Sequence, residues 1–257
     1  MCGRYASSRR PEDLVEEFEI DKVEVKETLA PDYNVAPTKQ VYAVVQRPTE
    51  PASADEGTDA PTQRQLRTLK WGLVPFWAKE PSIGNKMINA RMETVHEKPA
   101  FRRPFAARRC LLPADGYFEW YPTEQKTKAG KPLKQPFFIH PADGGVMAMA
   151  GLYEIWRDPT RDEDDPERFL WTCTVLTTTA EDSVGHIHDR MPLLVEPDRY
   201  DAWLDPSHAD VDDLKKLLVP AAPGRLEAYP VSTAVNSVRN NGPDLLDPLD
   251  PEGEPPA

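Results

Sequence analysis

Seven stretches of this chain read as short strands, and the long joins between them hold no amphipathic helix of the kind that a parallel crossover requires. The runs are Val41 to Val45, Leu66 to Val74, Arg109 to Leu112, Gly116 to Tyr121, Pro136 to His140, Val146 to Trp156 and Phe169 to Thr178. All are apolar or alternating, and rich in Val, Leu, Tyr, Phe and Trp. The joins Gln46 to Gln65, Pro122 to Gln135 and Arg157 to Arg168 are polar and turn-rich, so they read as long loops between antiparallel neighbours. Short helices fit at Pro11 to Ile20, Ala100 to Arg108, Pro197 to Leu204 and Val211 to Leu218. The expected architecture is an α+β fold: a mainly antiparallel, barrel-like curled β-sheet with a few peripheral short helices. A single domain is expected over residues 2–243, with 46–65 as a flexible insertion loop and 244–257 as an acidic, Pro-rich disordered tail.

Charge narrows the function. A formal net charge of -12 excludes a protein that coats nucleic acid nonspecifically, because phosphate affinity is largely counterion release; any such contact must be a local basic patch. No apolar run approaches the roughly 20 residues that span a bilayer, and the opening MCGRYASSRRPEDL lacks the apolar core of a secretion signal. A soluble, monomeric, cytoplasmic protein is expected, without membrane association. The three cysteines, Cys2, Cys110 and Cys173, are far apart and form no CxxC or Cys/His pair at ligand spacing, so no disulfide, metal or cofactor is expected.

The second residue carries the most chemistry. Initiator methionine is normally removed before a small residue, so the mature chain is expected to begin at Cys2 with a free α-amine beside a thiol. An α-amine titrates near pH 7.7 to 8.0, so roughly a quarter to a third is unprotonated at pH 7.4, against about 0.1% of a lysine. It forms Schiff bases without further tuning. The thiol can then add to the imine carbon and close a thiazolidine, which traps an aldehyde far more durably than an imine does.

Three polar clusters interrupt apolar, strand-like surroundings: Asn89-Ala90-Arg91 with Glu93-Thr94, Glu119 within ADGYFEW, and His188-Asp189-Arg190-Met191-Pro192. These clusters belong to longer strings: MCGRYA at the start, YNVAPT from Tyr33, WGLVPFWA from Trp71, INARMETVHEKPAFR from Ile88, RRCLLPADGYFEW from Arg108, LTTTA from Leu176, HDRMPLLV from His188 and YPVSTAVNSVRNNGP from Tyr229. Their order and extent resemble the SOS-response-associated peptidase family, whose members crosslink to abasic sites. The resemblance implies that Cys2 is the covalent nucleophile, with Asn89, Glu119 and His188 around it. Glu119 and His188 are suited to proton transfer, and Asn89 to orienting a hydroxyl or the Cys2 amine.

The expected partner is single-stranded DNA containing an abasic site, met at replication, with nucleoid association when bound and the replication machinery as a further partner. Arg4, Arg91 and Arg190 each lie within two residues of a proposed site residue and can pair with phosphates. Among the aromatic candidates Trp71, Phe76, Trp77 and Trp120, Trp71 and Trp120 are the preferred stacking platforms. The resemblance adds Asn34 and Pro37 as groove-wall residues. Three other readings stay open: an N-terminal-nucleophile amidohydrolase of the glutamine amidotransferase type, a thiol peptidase with Cys2, His188 and Glu119 as a triad, and a non-covalent reader of modified bases. Whether autoproteolysis exposes Cys2, and whether strand cleavage by β-elimination accompanies capture, also stays open.

Overall fold

The structure is a computed structural model that describes residues 2–49, 61–126, 128–180 and 182–249. Thirteen strands run in chain order as β1 (Tyr5–Ser7), β2 (Lys22–Glu24), β3 (Asp32–Val35), β4 (Gln40–Pro48), β5 (Thr62–Trp71), β6 (Asn89–Arg91), β7 (Arg109–Ala114), β8 (Gly116–Lys126), β9 (Pro132–Pro141), β10 (Met147–Arg157), β11 (Phe169–Thr179), β12 (Arg190–Pro192) and β13 (Leu226–Pro230). Five short α-helices accompany them: α1 (Pro11–Glu17), α2 (Arg102–Ala107), α3 (Asp182–Gly185), α4 (Tyr200–Leu204) and α5 (Val211–Lys216).

Five of the strands close into a barrel in the order β11-β10-β7-β4-β5. Alternating directions cannot close around an odd ring, so one joint must be parallel. That joint is β5 to β11, where Lys70 faces Thr172 and Trp71 faces Cys173. The other joints are antiparallel. A second, wholly antiparallel sheet runs β13-β9-β8-β1-β3. The α+β, mainly antiparallel and barrel-like architecture read from the sequence is therefore the architecture observed.

Side chains alternate across each strand, and this alternation sorts the core into two layers. Val41, Ala43, Val45, Leu69, Trp71, Cys110, Leu112, Met147, Met149, Cys173 and Val175 fill the barrel, where Cys2, Tyr5 and Tyr117 of the second sheet's side join them. Their neighbours Tyr42, Val44, Leu66, Leu111, Ala150, Leu152 and Leu176 face outward. There they are covered by Leu14 and Phe18 from the α1 segment, Phe105 of α2, Trp203 of α4 and Leu214 of α5.

Three expected boundaries change. The loop expected at 46–65 is shorter, because β4 continues to Pro48 and β5 starts at Thr62, with Gln46 paired to Arg64 and Arg47 to Gln63; residues 50–60 lie outside the described ones. The loop expected at Pro122 to Gln135 is largely a hairpin of β8 and β9, whose polar residues pair through the backbone. The tail expected to be disordered from Asp244 is ordered to Leu249. Leu245 is buried beside Phe118, Phe138 and Val235, and the Leu249 N–H donates to Pro230 O at 2.9 Å. Residues 250–257 lie outside the described ones.

Candidate active site

Cys2 lies just ahead of β1 and is fully buried. Two hydrogen bonds fix this opening segment between the two sheets. The Asn89 side-chain amide donates to Cys2 O at 2.8 Å, and the Phe118 N–H of β8 donates to Arg4 O at 2.9 Å. Asn89 is set in turn by β6, which pairs in parallel with β11 opposite Val175. The approach to β6 depends on a contact between two glycines. A Cβ on Gly72, at φ +126°, would lie 2.7 Å from Gly84 O, and one on Gly84 would lie 2.4 Å from Gly72 O. No side chain fits at either place.

Glu119 lies on β8 and is 4% exposed. Burial raises its carboxyl above the ordinary carboxylate range, and the positive field of His188 works in the opposite direction. Burial likewise pushes the Cys2 thiol far up, and the nearby Glu119 carboxylate adds to this. His188 stands just before β12. Its Nδ1 accepts the Arg190 N–H at 2.9 Å and lies 3.0 Å from Asp189 Oδ1. Cys2, Asn89, Glu119 and His188, drawn from four separate stretches of sequence, are thus linked by one hydrogen bond and two electrostatic couplings. The Asn89 Oδ1 is buried and accepts no hydrogen bond among the described residues, so the amide can still take a donor. The described residues hold no cluster of His, Cys, Asp and Glu that fits a metal ion.

The proposed DNA-contact residues divide. Trp120 is half-buried and walls an open groove of about 620 Å³ with Lys134, Gln135 and Asn236; its indole N–H donates to Asn236 Oδ1 at 2.7 Å. Arg91 is exposed at the end of β6. Trp71 is a correction. It is fully buried, packs on Tyr5 at 5.1 Å between ring centroids and donates to Ile88 O at 2.9 Å, so it braces β6 and offers no face to a base. The exposed aromatics of its motif are Phe76 and Trp77.

Asn34 is also a correction. It is fully buried, and its amide nitrogen lies 3.3, 3.0 and 2.9 Å from the carbonyls of Val235, Ser237 and Asn240, while its oxygen accepts from Arg4 at 2.7 Å. It clasps the C-terminal segment and walls no groove. Arg4 is committed to this clasp, through Val235 O at 2.8 Å, and stands over the Trp120 ring at 5.7 Å. Pro37 is half-buried in the turn after β3, where the Thr38 N–H donates to Trp71 O. Arg190 is engaged by both Glu93 oxygens, at 2.6 and 3.0 Å, and by Thr177 O, so it presents a neutralised ion pair and not a free cation. Sequence reasoning missed that Asn236 holds Trp120 and that Val235, Ser237 and Asn240 close the clasp; their shared string from Tyr229 was the available signal. Replacing Asn34 by alanine leaves three carbonyls and Arg4 without their partner. An expected loss of about 3 kcal/mol, read from the urea midpoint, follows from the usual penalty for orphaned buried groups.

The comparisons extend over nearly the whole chain. A family model described as SOS response associated peptidase (SRAP) matches residues 1–238. The abasic site processing protein YoqW of Bacillus subtilis is 39% identical over 247 residues, covering 96% of this chain and 99% of its own. The abasic site processing protein YedK of Escherichia coli is 33% identical over 256 residues, covering 97% and 100%. A crystal structure of a protein from Bacteroides thetaiotaomicron shares the fold, with a TM-score of 0.76 at 24% identity over 97% of this chain and 100% of that one. With the family model spanning the barrel, the second sheet and all four of Cys2, Asn89, Glu119 and His188, this chain belongs to the SOS response associated peptidase family.

Proposed function

We propose that the protein processes abasic sites in single-stranded DNA by covalent capture at Cys2, after removal of Met1. The observation that carries this reading is a fully buried Cys2 held by Asn89 and coupled to a carboxyl, Glu119, whose pKa burial raises. The curated relatives are named for abasic site processing, which supports the same substrate class. The Cys2 amine adds to the aldehyde of the ring-opened sugar to give a carbinolamine, and Glu119 donates the proton that lets water leave. The thiol then adds across the imine: the S–C bond forms, the thiol proton reaches nitrogen through Glu119 or His188, and the thiazolidine closes. Asn89 Oδ1 receives a sugar hydroxyl.

The thiol's high pKa favours this order of events. A thiolate peptidase needs its cysteine depressed by a cationic neighbour, whereas burial here keeps the Cys2 thiol protonated until a base takes its proton. The amine therefore attacks first. An amidohydrolase of the N-terminal-nucleophile type would carry a layered sandwich in place of the closed barrel. The test is incubation with single-stranded DNA bearing one abasic site, followed by denaturing electrophoresis and intact mass. A heat-stable adduct on a chain lacking Met1 is expected; its absence overturns the proposal.

Strand contacts are assigned to Arg91, with Trp120 and Trp77 as stacking surfaces. Arg91→Ala is expected to flatten the slope of log affinity against log salt by about 0.7, the share of one single-strand phosphate. Arg190 must first lose Glu93, so Glu93→Gln is expected to steepen the slope by a similar amount and tighten binding. Anisotropy titrations across salt concentrations check both, and an unchanged slope in both variants removes these residues from the groove.

A further inference from the structure

The end of the barrel remote from Cys2 carries charge that capture does not use. Alternation along β4 places Arg47 on the inner face after Val41, Ala43 and Val45, and along β5 it places Arg67 there ahead of Leu69 and Trp71. Both guanidiniums stand over Trp171 of β11, at 4.9 and 4.4 Å from the ring centroid, and Trp171 stacks on Tyr153 at 5.7 Å with an interplanar angle of 7°. Among the described residues β5 and β11 pair at Lys70–Trp71 with Thr172–Cys173, and a groove of about 480 Å³ beside this joint is walled by Arg67, Trp171 and Lys26 together with Glu24, Glu27 and Glu167.

The two arginines are short of acceptors. The Arg47 guanidinium makes no hydrogen bond or ion pair among the described residues, and the Arg67 guanidinium spends only its Nε, on Gln65 Oε1 at 2.8 Å. The groove's carboxylates are shared with other cations: Glu24 pairs with Lys22 while also acting on Arg67, Glu167 pairs with Arg161, and Glu154 behind them pairs with Arg108. One cation over a tryptophan is attracted to the ring, but two like charges on one ring repel, and that repulsion is relieved by an oxyanion between them. In a chain of net charge -12 two adjacent guanidiniums with spare donors mark a local anion site.

We propose that this mouth is a second strand contact, in which Arg47 and Arg67 bind a phosphate of single-stranded nucleic acid away from the Cys2 pocket. It rests on the reading that single-stranded DNA is the substrate. A strand anchored there stays on the protein while an abasic sugar is brought to Cys2.

The test compares the full chain with the double variant Arg47→Gln/Arg67→Gln. Anisotropy is measured across salt with unmodified oligothymidine of about 10 and about 30 nucleotides, while crosslinking to a short abasic strand at saturation runs in parallel. The expected result is a loss of about 5- to 10-fold in affinity for the longer strand and a slope flatter by about 0.7, the share of the one phosphate bound. Saturated crosslinking is unchanged, and Arg47→Lys/Arg67→Lys recovers most of the slope because the charge is kept. A folded double variant, judged by melting temperature, with unaltered affinity and slope overturns the proposal. So does inorganic phosphate that stabilises the wild type through these arginines while strand binding ignores them. If the wild type forms no crosslink yet strand binding still depends on the pair, the capture reading falls and this one stands. If the Gln variant fails to fold, the Lys variant decides alone: loss of the salt slope despite retained charge overturns the assignment.

Discussion

Cys2→Ala is expected to abolish the heat-stable DNA adduct outright while leaving the α-amine, the fold and noncovalent strand binding in place. The amine still forms an imine, since about a quarter to a third of it is unprotonated near pH 7.4. That imine hydrolyses on heating and is caught only when borohydride reduces it. Cys2→Ser leaves a hydroxyl that closes an oxazolidine, which reopens readily. Three proteins thus separate the two functional groups of one residue: the wild type gives a stable adduct without reductant, Ser a labile one, Ala only a reductively trapped one. The alanine side chain fills less of a fully buried position, so a modest loss of stability accompanies it. A stable adduct formed by Cys2→Ala without reductant would sink the thiazolidine mechanism. Equal loss of the reduced and unreduced adducts would place the failure at the amine.

Much of the frame was legible in the sequence because burial on both faces of a strand leaves continuous apolar runs. Val146 to Trp156 became β10, and Phe169 to Thr178 became β11 within a residue at each end. What hydropathy could not show was pairing by polar residues. Thr62, Gln63, Arg64 and Gln65 lie in β5 because β4 offers them backbone partners, a decision made by register and invisible in any one side chain. The pocket was legible in a similar way and with a similar gap. Asn89, Glu119 and His188 were visible as polar interruptions of apolar strings, since such groups are retained only where something engages them, and Cys2 was visible by its position as the second residue. The sequence could not tell which aromatic or amide faces outward. Trp71 and Trp77 belong to one string, yet Trp71 is buried against Tyr5 and Trp77 is 48% exposed, because the chain turns at Gly72. Asn34 looked like a groove wall. Its partners lie some 200 residues away, a separation that no local pattern of residues reports.

Glu119→Gln is expected to slow crosslink formation by about 10- to 1000-fold, the range in which one positioned acid or base acts, and at the same time to make the protein more stable at neutral pH. The two effects have one cause. Burial raises the Glu119 carboxyl above the ordinary range, so the folded chain binds that proton more tightly than the unfolded chain does. The favourable contribution is complete below the ordinary carboxylate pKa and is lost as pH rises through the raised value. As pH rises above the ordinary carboxylate range the wild type loses this contribution, which glutamine, equal in shape and uncharged, retains. Each kcal/mol regained moves the melting temperature by about 2–4 °C in a chain of this size, and the gain should shrink as pH falls toward 4. Melting curves at several pH values read the stability arm, and single-turnover crosslinking in both directions reads the chemical arm. His188→Gln should slow the same steps without the pH-dependent stabilisation, because its ring is half-exposed and already satisfied by the Arg190 N–H. A Glu119→Gln protein with wild-type rates would make this carboxyl structural. One that is slower but less stable at pH 7 would mean that its charge is compensated in the folded chain, and that it acts as a base from the outset.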